Sequence, residues 1–132
     1  DADHFKRIND LHGHAAGDVA LRLLGDLLRS SLRAQDLVAR WGGEEFVLLL
    51  PETDVHGATR VAESIRRSVA LLPLLVGQFE VPVTVSFGLA EHRPERGLEV
   101  TIAHADAALY RAKAEGRDRV VAHPSVPVFT PK

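Results

Sequence analysis

The stretch Leu37-Val38-Ala39-Arg40-Trp41-Gly42-Gly43-Glu44-Glu45-Phe46-Val47-Leu48-Leu49-Leu50 decides the fold. Two short apolar runs, 37–40 and 45–50, flank a pair of glycines. A glycine pair between such runs is typical of a β-hairpin, because both glycines tolerate positive φ. The sequence therefore predicts two short strands joined by a turn that carries Glu44 and Glu45, with Trp41 at its mouth.

Helical periodicity is found on both sides of this hairpin. Apolar residues recur at intervals of three and four, which predicts helices over 19–32, 55–69 and 102–114. The residues that fit the ends of these helices are Gly17-Asp18 before the first, Thr53 or Asp54 before the second, and Gly116 after the third.

Two further apolar segments, 81–90 and 119–122, predict strands, the first of them regular only after Pro82. Residues before 19 form a polar stretch, and Pro73 and Gly77 indicate a loop. The order of helices and strands predicts an α/β sandwich with a mixed sheet flanked by helices. We expect one domain over 1–122, followed by a proline-containing tail over 123–132.

Composition excludes several classes of protein. The 132 residues are 45% apolar and 26% charged, as in a single globular domain and unlike a disordered tail. A net charge of -2 lacks the basic excess expected of a protein that binds nucleic-acid polymers. Without cysteine there is no thiolate metal site and no cysteine nucleophile, and no apolar stretch approaches the length of a membrane span.

The predicted turn is the first candidate for chemistry. Glycines without Cβ atoms let a polyanion approach the backbone, and the carboxylates of Glu44 and Glu45 can hold a divalent cation that neutralises it. The alternative is a solvated hairpin tip with ordinary glutamates, and the pentapeptide alone favours this alternative.

Other charged residues allow two interpretations each. Asp1 and Asp3 offer oxygen ligands for a metal ion, or form an acidic solvated terminus. Lys113 and Arg117 can meet phosphate oxygens, or complement the dipole at the end of a helix.

The remaining polar residues have simple structural explanations. Asp18 fits a helix N-cap, and Arg33 with Asp36 fits an i, i+3 pair at a helix end. His12 and His14 flank a glycine, and without a third ligand they are expected to be loop histidines.

Four motifs in register resemble the GGDEF family, the bacterial diguanylate cyclases, from Asp1 to about Val121. These are the opening segment DADHFKRIND over 1–10, Gly13-His14 with Gly17-Asp18, GGEEF over 42–46, and DAALYRAK over 106–113 with Gly116-Arg117. Four motifs in the right order are far more specific than any one of them. The resemblance implies a nucleotidyl-cyclase-like α/β sandwich with the GGEEF motif on a β-hairpin turn.

The resemblance also implies an activity. Two GTP molecules would condense to cyclic di-GMP with loss of pyrophosphate, in a homodimer, with two Mg²⁺ ions (or Mn²⁺) in each half-site. The implied location is the bacterial cytoplasm, or the cytoplasmic side of a membrane-attached parent protein. A regulatory or sensor domain is expected on the N-terminal side.

Residue roles follow from the motif positions. The implied metal ligands are Asp1, the carbonyl of Ala2, Glu44 and Glu45, with Glu44 also activating the 3'-hydroxyl. The implied substrate contacts are Asn9 and Asp18 for guanine, Lys6, Lys113 and Arg117 for the triphosphate, and Gly42 and Gly43 in the turn. Arg33 and Asp36 match an RxxD site that binds dimeric product and inhibits the enzyme. Ser64 stands where some relatives carry an arginine, which implies weaker product binding.

One departure from the family concerns the segment before Asp1. Family members carry a helix and the first, central strand there, so the resemblance implies an N-terminally truncated domain. The alternative function is therefore an inactive or truncated module that binds cyclic di-GMP or GTP as a receptor. Binding accompanied by turnover distinguishes the enzyme from the receptor.

Overall fold

The computed structural model describes residues 1–71 and 73–124. The elements are α1 (Phe5–His12), α2 (His14–Ser30), β1 (Leu37–Arg40), β2 (Phe46–Leu49), α3 (Val55–Leu71), β3 (Leu74–Val76), β4 (Phe79–Val81), β5 (Phe87–Leu89), α4 (Leu98–Ala114) and β6 (Val120–Ala122). The predicted α/β class is confirmed. Within these residues, no helix combines the length and apolar character that crossing a membrane requires.

The predicted hairpin is confirmed, but its glycines act differently from the prediction. Strands β1 and β2 pair antiparallel, from Leu37 opposite Leu49 to Arg40 opposite Phe46. Neither Gly42 nor Gly43 has a positive φ. The loop between the strands has five residues, 41–45, so it is not a two-residue turn that would require a positive φ at both glycines. A Cβ atom at Gly42 would lie 2.9 Å from the Oε1 atom of Glu45, so a larger residue there would displace the end of that side chain.

The chain before the hairpin contains more helix than predicted. The segment expected to be an irregular polar stretch forms α1, and α2 begins at His14 instead of Val19. Only Phe5 and Ile8 of α1 are buried, so the periodic signal was too short to recognise. Asp18 consequently lies inside α2 and is not its N-cap.

The region between α3 and α4 is also more regular than predicted. The expected loop forms the antiparallel β3–β4 hairpin, with Gly77 at φ 61° in its turn. The predicted strand 81–90 is divided, because Val81 ends β4, Val85 forms an isolated bridge with Ala2, and β5 begins only at Phe87.

The predicted caps of α3 and α4 are found, but the predicted start of α4 is not. The Asp54 carboxylate accepts the Gly57 N–H at 2.8 Å, which confirms it as a helix cap. Helix α4 begins at Leu98, before the predicted start at 102, and Gly116 follows its end with φ 122°. Of the predicted tail over 123–132, only His123 and Pro124 belong to the described residues.

The strands pair in both senses, as a mixed sheet requires, but they form three two-stranded sheets. β1–β2 and β3–β4 are antiparallel and β5–β6 is parallel. An apolar groove of about 770 Å³, lined by β2, β5 and three helices, separates the first sheet from the third. Within 1–71 and 73–124, no strand occupies the central position between β2 and β5 that the family resemblance implies.

The core and the parallel pair position the site. Leu21, Leu24 and Leu28 of α2 belong to one buried cluster with Ile65 and Val69 of α3. Because β5 and β6 are parallel, the residues that precede them lie at the same end of the pair. The polar side chains of the candidate site converge at this end.

Candidate active site

Asp3 is the centre of a polar cluster at the amino ends of β5 and β6. Its fully buried carboxylate accepts hydrogen bonds from Thr84 Oγ1 at 2.7 Å, Ser86 Oγ at 2.8 Å and the Asp118 N–H at 3.0 Å. Burial opposes ionisation, but these hydrogen bonds and the charge of Lys113 outweigh it and lower the pKa of the Asp3 carboxyl. The cluster therefore holds a carboxylate, not a neutral acid.

Lys113, near the end of α4, joins Asp3 to Asp1. Its Nζ atom lies 2.8 Å from Asp1 Oδ1 and 3.3 Å from Asp3 Oδ1. The backbone of 1–3 runs antiparallel to 84–86 and is held by hydrogen bonds from the Asp3 N–H to Thr84 O at 2.9 Å and from the Ser86 N–H to Asp1 O at 3.0 Å. Two predicted metal-binding residues, Asp1 and Ala2, thus lie beside a predicted phosphate-binding lysine.

Arg117 lies next to this cluster in the chain. It precedes Asp118, whose N–H contacts Asp3, and its own N–H donates to Ala112 O at 2.9 Å. Arg117 and Asp118 both have positive φ, at 65° and 45°. Asp118 is fixed further by an ion pair with Arg66 of α3 at 3.0 Å.

The GGEEF turn connects β1 with β2 and borders a groove that Asp1 also lines. Arg40 donates from Nε at 3.1 Å and from Nη2 at 2.6 Å to the Gly43 carbonyl, which fixes the shape of the turn. Asp1, Trp41 and Glu45 line the same groove. Of the two glutamates of the turn, Glu45 therefore faces the groove that Asp1 also lines.

This arrangement fits a cation that is shared with a ligand. Among the described residues, no three histidine or acidic side chains converge to hold a metal ion by themselves. Mg²⁺ usually takes one or two carboxylates and completes its coordination with water and substrate phosphates. The carboxylates of Asp1, Glu44 and Glu45 and the Ala2 carbonyl supply oxygen ligands of the required kind.

Asn9, one of the two residues predicted to contact guanine, lies where α1 packs on α2. Gly17 of α2 packs so closely on Asn9 of α1 that a Cβ atom there would lie 1.8 Å from Asn9 Oδ1. Asp18, the other predicted guanine contact, follows Gly17 in α2 and is exposed. Lys6 is also on α1 and is exposed to solvent.

Arg33 and Asp36 form a bidentate pair at the other end of the hairpin. The Arg33 Nη2 atom lies 2.8 Å from Asp36 Oδ1, and the Arg33 Nε atom lies 3.1 Å from Asp36 Oδ2. Arg33 Nη2 also donates to Pro51 O and Thr53 Oγ1, both at 2.9 Å. The hydrogen bond from Arg33 lowers the pKa of Asp36. The four residues of β1 separate this pair from the GGEEF turn.

Sequence reasoning missed four residues that build the site: Arg40, Thr84, Ser86 and Asp118. The two hydroxyls had a signal, because they alternate with Val83 and Val85 and so share one face of an extended segment. Arg40 and Asp118 act through a main-chain carbonyl and a main-chain N–H. No motif identifies such contacts.

The fold and the cluster define an α/β domain in which two acidic segments border one groove and a helix-end lysine contacts one of them, an arrangement suited to a phosphate-bearing ligand and a divalent cation. The chain belongs to the GGDEF family: the family description "Diguanylate cyclase, GGDEF domain" matches residues 1–119.

Comparison with known proteins agrees with this assignment. The chain is 49% identical over 123 residues to diguanylate cyclase DgcM of Escherichia coli K12, covering 92% of this chain and 29% of DgcM. It is 44% identical over 124 residues to response regulator PleD of Caulobacter vibrioides, covering 92% and 27%. The chain thus spans less than a third of either relative.

Solved structures give the same result. Diguanylate cyclase SiaD of Pseudomonas aeruginosa, in complex with its activator SiaC, superposes with a TM-score of 0.87 at 46% identity, over 92% of this chain and 47% of the other. The GGDEF domain of DgcB from Caulobacter crescentus, in complex with c-di-GMP, gives 0.88 at 35% identity, over 95% and 75%. The predicted family and fold are confirmed.

Proposed function

We propose that the protein containing this chain is a diguanylate cyclase. Each of two GTP molecules attacks the α-phosphorus of the other with its 3'-hydroxyl oxygen. Two phosphodiester bonds form, two pyrophosphates leave, and the two hydroxyl protons are released. The observation that carries the proposal is that Asp1, which pairs with Lys113, lines one groove together with Trp41 and Glu45 of the GGEEF turn.

The residues divide this work by charge and position. Asp1, the Ala2 carbonyl, Glu44 and Glu45 would hold Mg²⁺ or Mn²⁺, which when bound supplies positive charge to the reacting phosphate. Lys113, Lys6 and Arg117 neutralise the triphosphate, while Gly42 and Gly43 let it approach the turn. Glu44 takes the proton of the 3'-hydroxyl, and Asn9 and Asp18 bind guanine.

Guanine recognition by Asp18 has a simple chemical basis. A carboxylate accepts hydrogen bonds from the ring N–H and the exocyclic amino group of guanine, which adenine does not offer in that arrangement. The exposed position of Asp18, one residue after the Gly17 that packs on Asn9, supports this role.

The reaction requires a homodimer, because one chain provides a half-site for one of two nucleotides. We place the dimer in the bacterial cytoplasm, under the control of a regulatory domain outside this chain. Product feedback would act at Arg33 and Asp36, where guanidinium groups suit phosphates and guanine edges.

Substitution of Glu44 by Gln tests the assignment. Because it removes one metal ligand and the proposed base but leaves Asn9 and Asp18 intact, Glu44→Gln should lower turnover by at least about 100-fold. GTP binding should remain measurable through the fluorescence of Trp41, the only tryptophan of the chain. Glu80→Gln, an exposed glutamate on β4, is the matched control. Cyclisation by Glu44→Gln at the unsubstituted rate would contradict the proposal.

A receptor is the second candidate, favoured by the complex of the DgcB GGDEF domain with c-di-GMP. The same assay separates the two functions. Binding of cyclic di-GMP or GTP by the unsubstituted protein without any product in the presence of Mg²⁺ would support the receptor.

A further inference from the structure

A second polar cluster lies at the carboxyl ends of β5 and β6, the opposite end of this strand pair from Asp3. Leu89 and Ala122 are the last residues of the two strands and lie opposite each other. His123 follows β6, and its N–H donates to Leu89 O at 2.7 Å. Ligands of parallel α/β sheets bind preferentially at carboxyl ends of strands. The proposed function uses no residue of this cluster.

Two imidazole rings form the centre of this cluster. The rings of His104, on α4, and His123 are stacked with centroids 4.2 Å apart and planes within 7° of parallel. The Nδ1 atoms of both rings are buried and have no hydrogen-bond partner among the described residues. Ring nitrogens bind metals in the plane of the ring, so two stacked rings cannot both direct a nitrogen at one ion. The geometry therefore does not favour a metal site.

Arg96 belongs to the connection between β5 and α4, which leaves β5 at this same carboxyl end. Its Nε and Nη2 atoms are buried and lack a partner within the described part of the chain. In Arg33 the same two atoms bind the carboxylate of Asp36, and in Arg66 they bind that of Glu63. The Nε–Nη2 edge fits two oxygens of one anion, because its N–H bonds are parallel.

The groups whose charges shift the pKa of His123 are all basic. Burial lowers its pKa first, and His104, Arg111 and Arg96 lower it further, with no acidic group among the causes. The carboxylate nearest to Arg111 is that of Glu115, at 3.8 Å, and both side chains are about half exposed. Buried N–H donors without partners are costly, so this cluster is suited to an anion that pairs with them.

We propose that Arg96, His104 and His123 form a binding site for a small oxyanion of the phosphate class. The Arg96 edge would donate two hydrogen bonds to two oxygens of the anion. One of the two imidazoles would donate from Nδ1 to a further oxygen of the anion, and Arg111 would add long-range attraction. The site lies at the opposite end of the β5–β6 pair from the Asp3 cluster, so an anion bound there would not contact that cluster.

The test uses inorganic phosphate as the probe and the imidazole resonances of His104 and His123 as the readout. In NMR titrations at pH 6 and constant ionic strength, phosphate should shift both resonances saturably and raise the apparent pKa of His123, because a bound anion stabilises the imidazolium. Arg96→Gln should weaken this binding by at least about tenfold, the usual effect of losing a charge-assisted bidentate contact.

One further variant separates the planar edge of Arg96 from its charge, and a second serves as a control. Arg96→Lys keeps the charge but lacks the planar edge, so it should also weaken binding. Arg67→Gln removes an exposed positive charge on α3 and should have no effect. Equal phosphate binding by Arg96→Gln, Arg96→Lys and the unsubstituted protein, or the same shifts with chloride in place of phosphate, would overturn the proposal.

Discussion

At the scale of single residues, the buried Asp3 carboxylate allows a prediction about stability and pH. Asp3→Asn removes the charge that three hydrogen-bond donors and Lys113 stabilise. It should lower the free energy of unfolding at pH 7 by about 1–3 kcal/mol, measured by urea denaturation. The pKa of Asp3 is lowered in the folded state, so its contribution is complete above the ordinary carboxyl pKa of about 4 and is lost as pH falls through the folded pKa.

The unfolding free energies of Asp3→Asn and the unsubstituted protein should therefore begin to converge as pH falls below about 4, and they should meet only below the folded pKa of Asp3. Asp26→Asn is the matched control, because Asp26 pairs with Arg29 on the surface, where both side chains are about two-thirds exposed. Its effect should stay within about 0.5 kcal/mol. Equal losses for Asp3→Asn and Asp26→Asn would mean that the cluster around Asp3 contributes no special stability.

At the scale of elements, the crossing of α1 and α2 gives a prediction about substrate affinity. A Cβ atom at Gly17 would displace the Asn9 side chain, but alanine also favours the interior of α2. The same Cβ atom would lie 3.0 Å from Cζ of the buried Phe5, so Gly17→Ala should lower the free energy of unfolding by about 1–3 kcal/mol and raise the Kd for GTP. Fluorescence titration and thermal unfolding measure the two effects.

Gly25→Ala is the control in the same helix. Its Cβ atom would lie at an ordinary 3.4 Å from Phe46, far along α2 from Asn9. It should leave GTP affinity unchanged. If both variants bind GTP like the unsubstituted protein, Asn9 does not contribute to the guanine site.

The elements also show which parts of the fold the sequence could predict. β1, β2 and α3 were predicted almost to the residue, because long apolar periodicity and the GGEEF turn both mark them. α1 and the β3–β4 hairpin were missed, because each contributes only a few buried residues to the core. The motifs named Asp1 and Lys113, but their direct contact joins residues more than a hundred positions apart and depends on the tertiary fold.

At the scale of the whole molecule, the two ends of the β1–β2 hairpin carry different proposed tasks. The turn carries Glu44, and the Arg33–Asp36 pair lies at the other end, about 13 Å away along a four-residue strand. Product bound at this pair would therefore not touch the turn. It would have to restrain how the hairpin, or the dimer, brings two half-sites together.

This separation gives a prediction for Arg33→Ala. The variant should raise the cyclic di-GMP concentration for half-maximal inhibition by at least about tenfold, because it removes a bidentate donor to phosphate or guanine. The initial rate with little product present should change far less, because Arg33 is remote from the turn. Arg29→Ala, which breaks only the exposed pair with Asp26, is the control.

An unchanged inhibition curve would place product binding elsewhere. A lower initial rate together with a lower free energy of unfolding would instead show that Arg33 acts by joining Asp36 to Pro51 and Thr53.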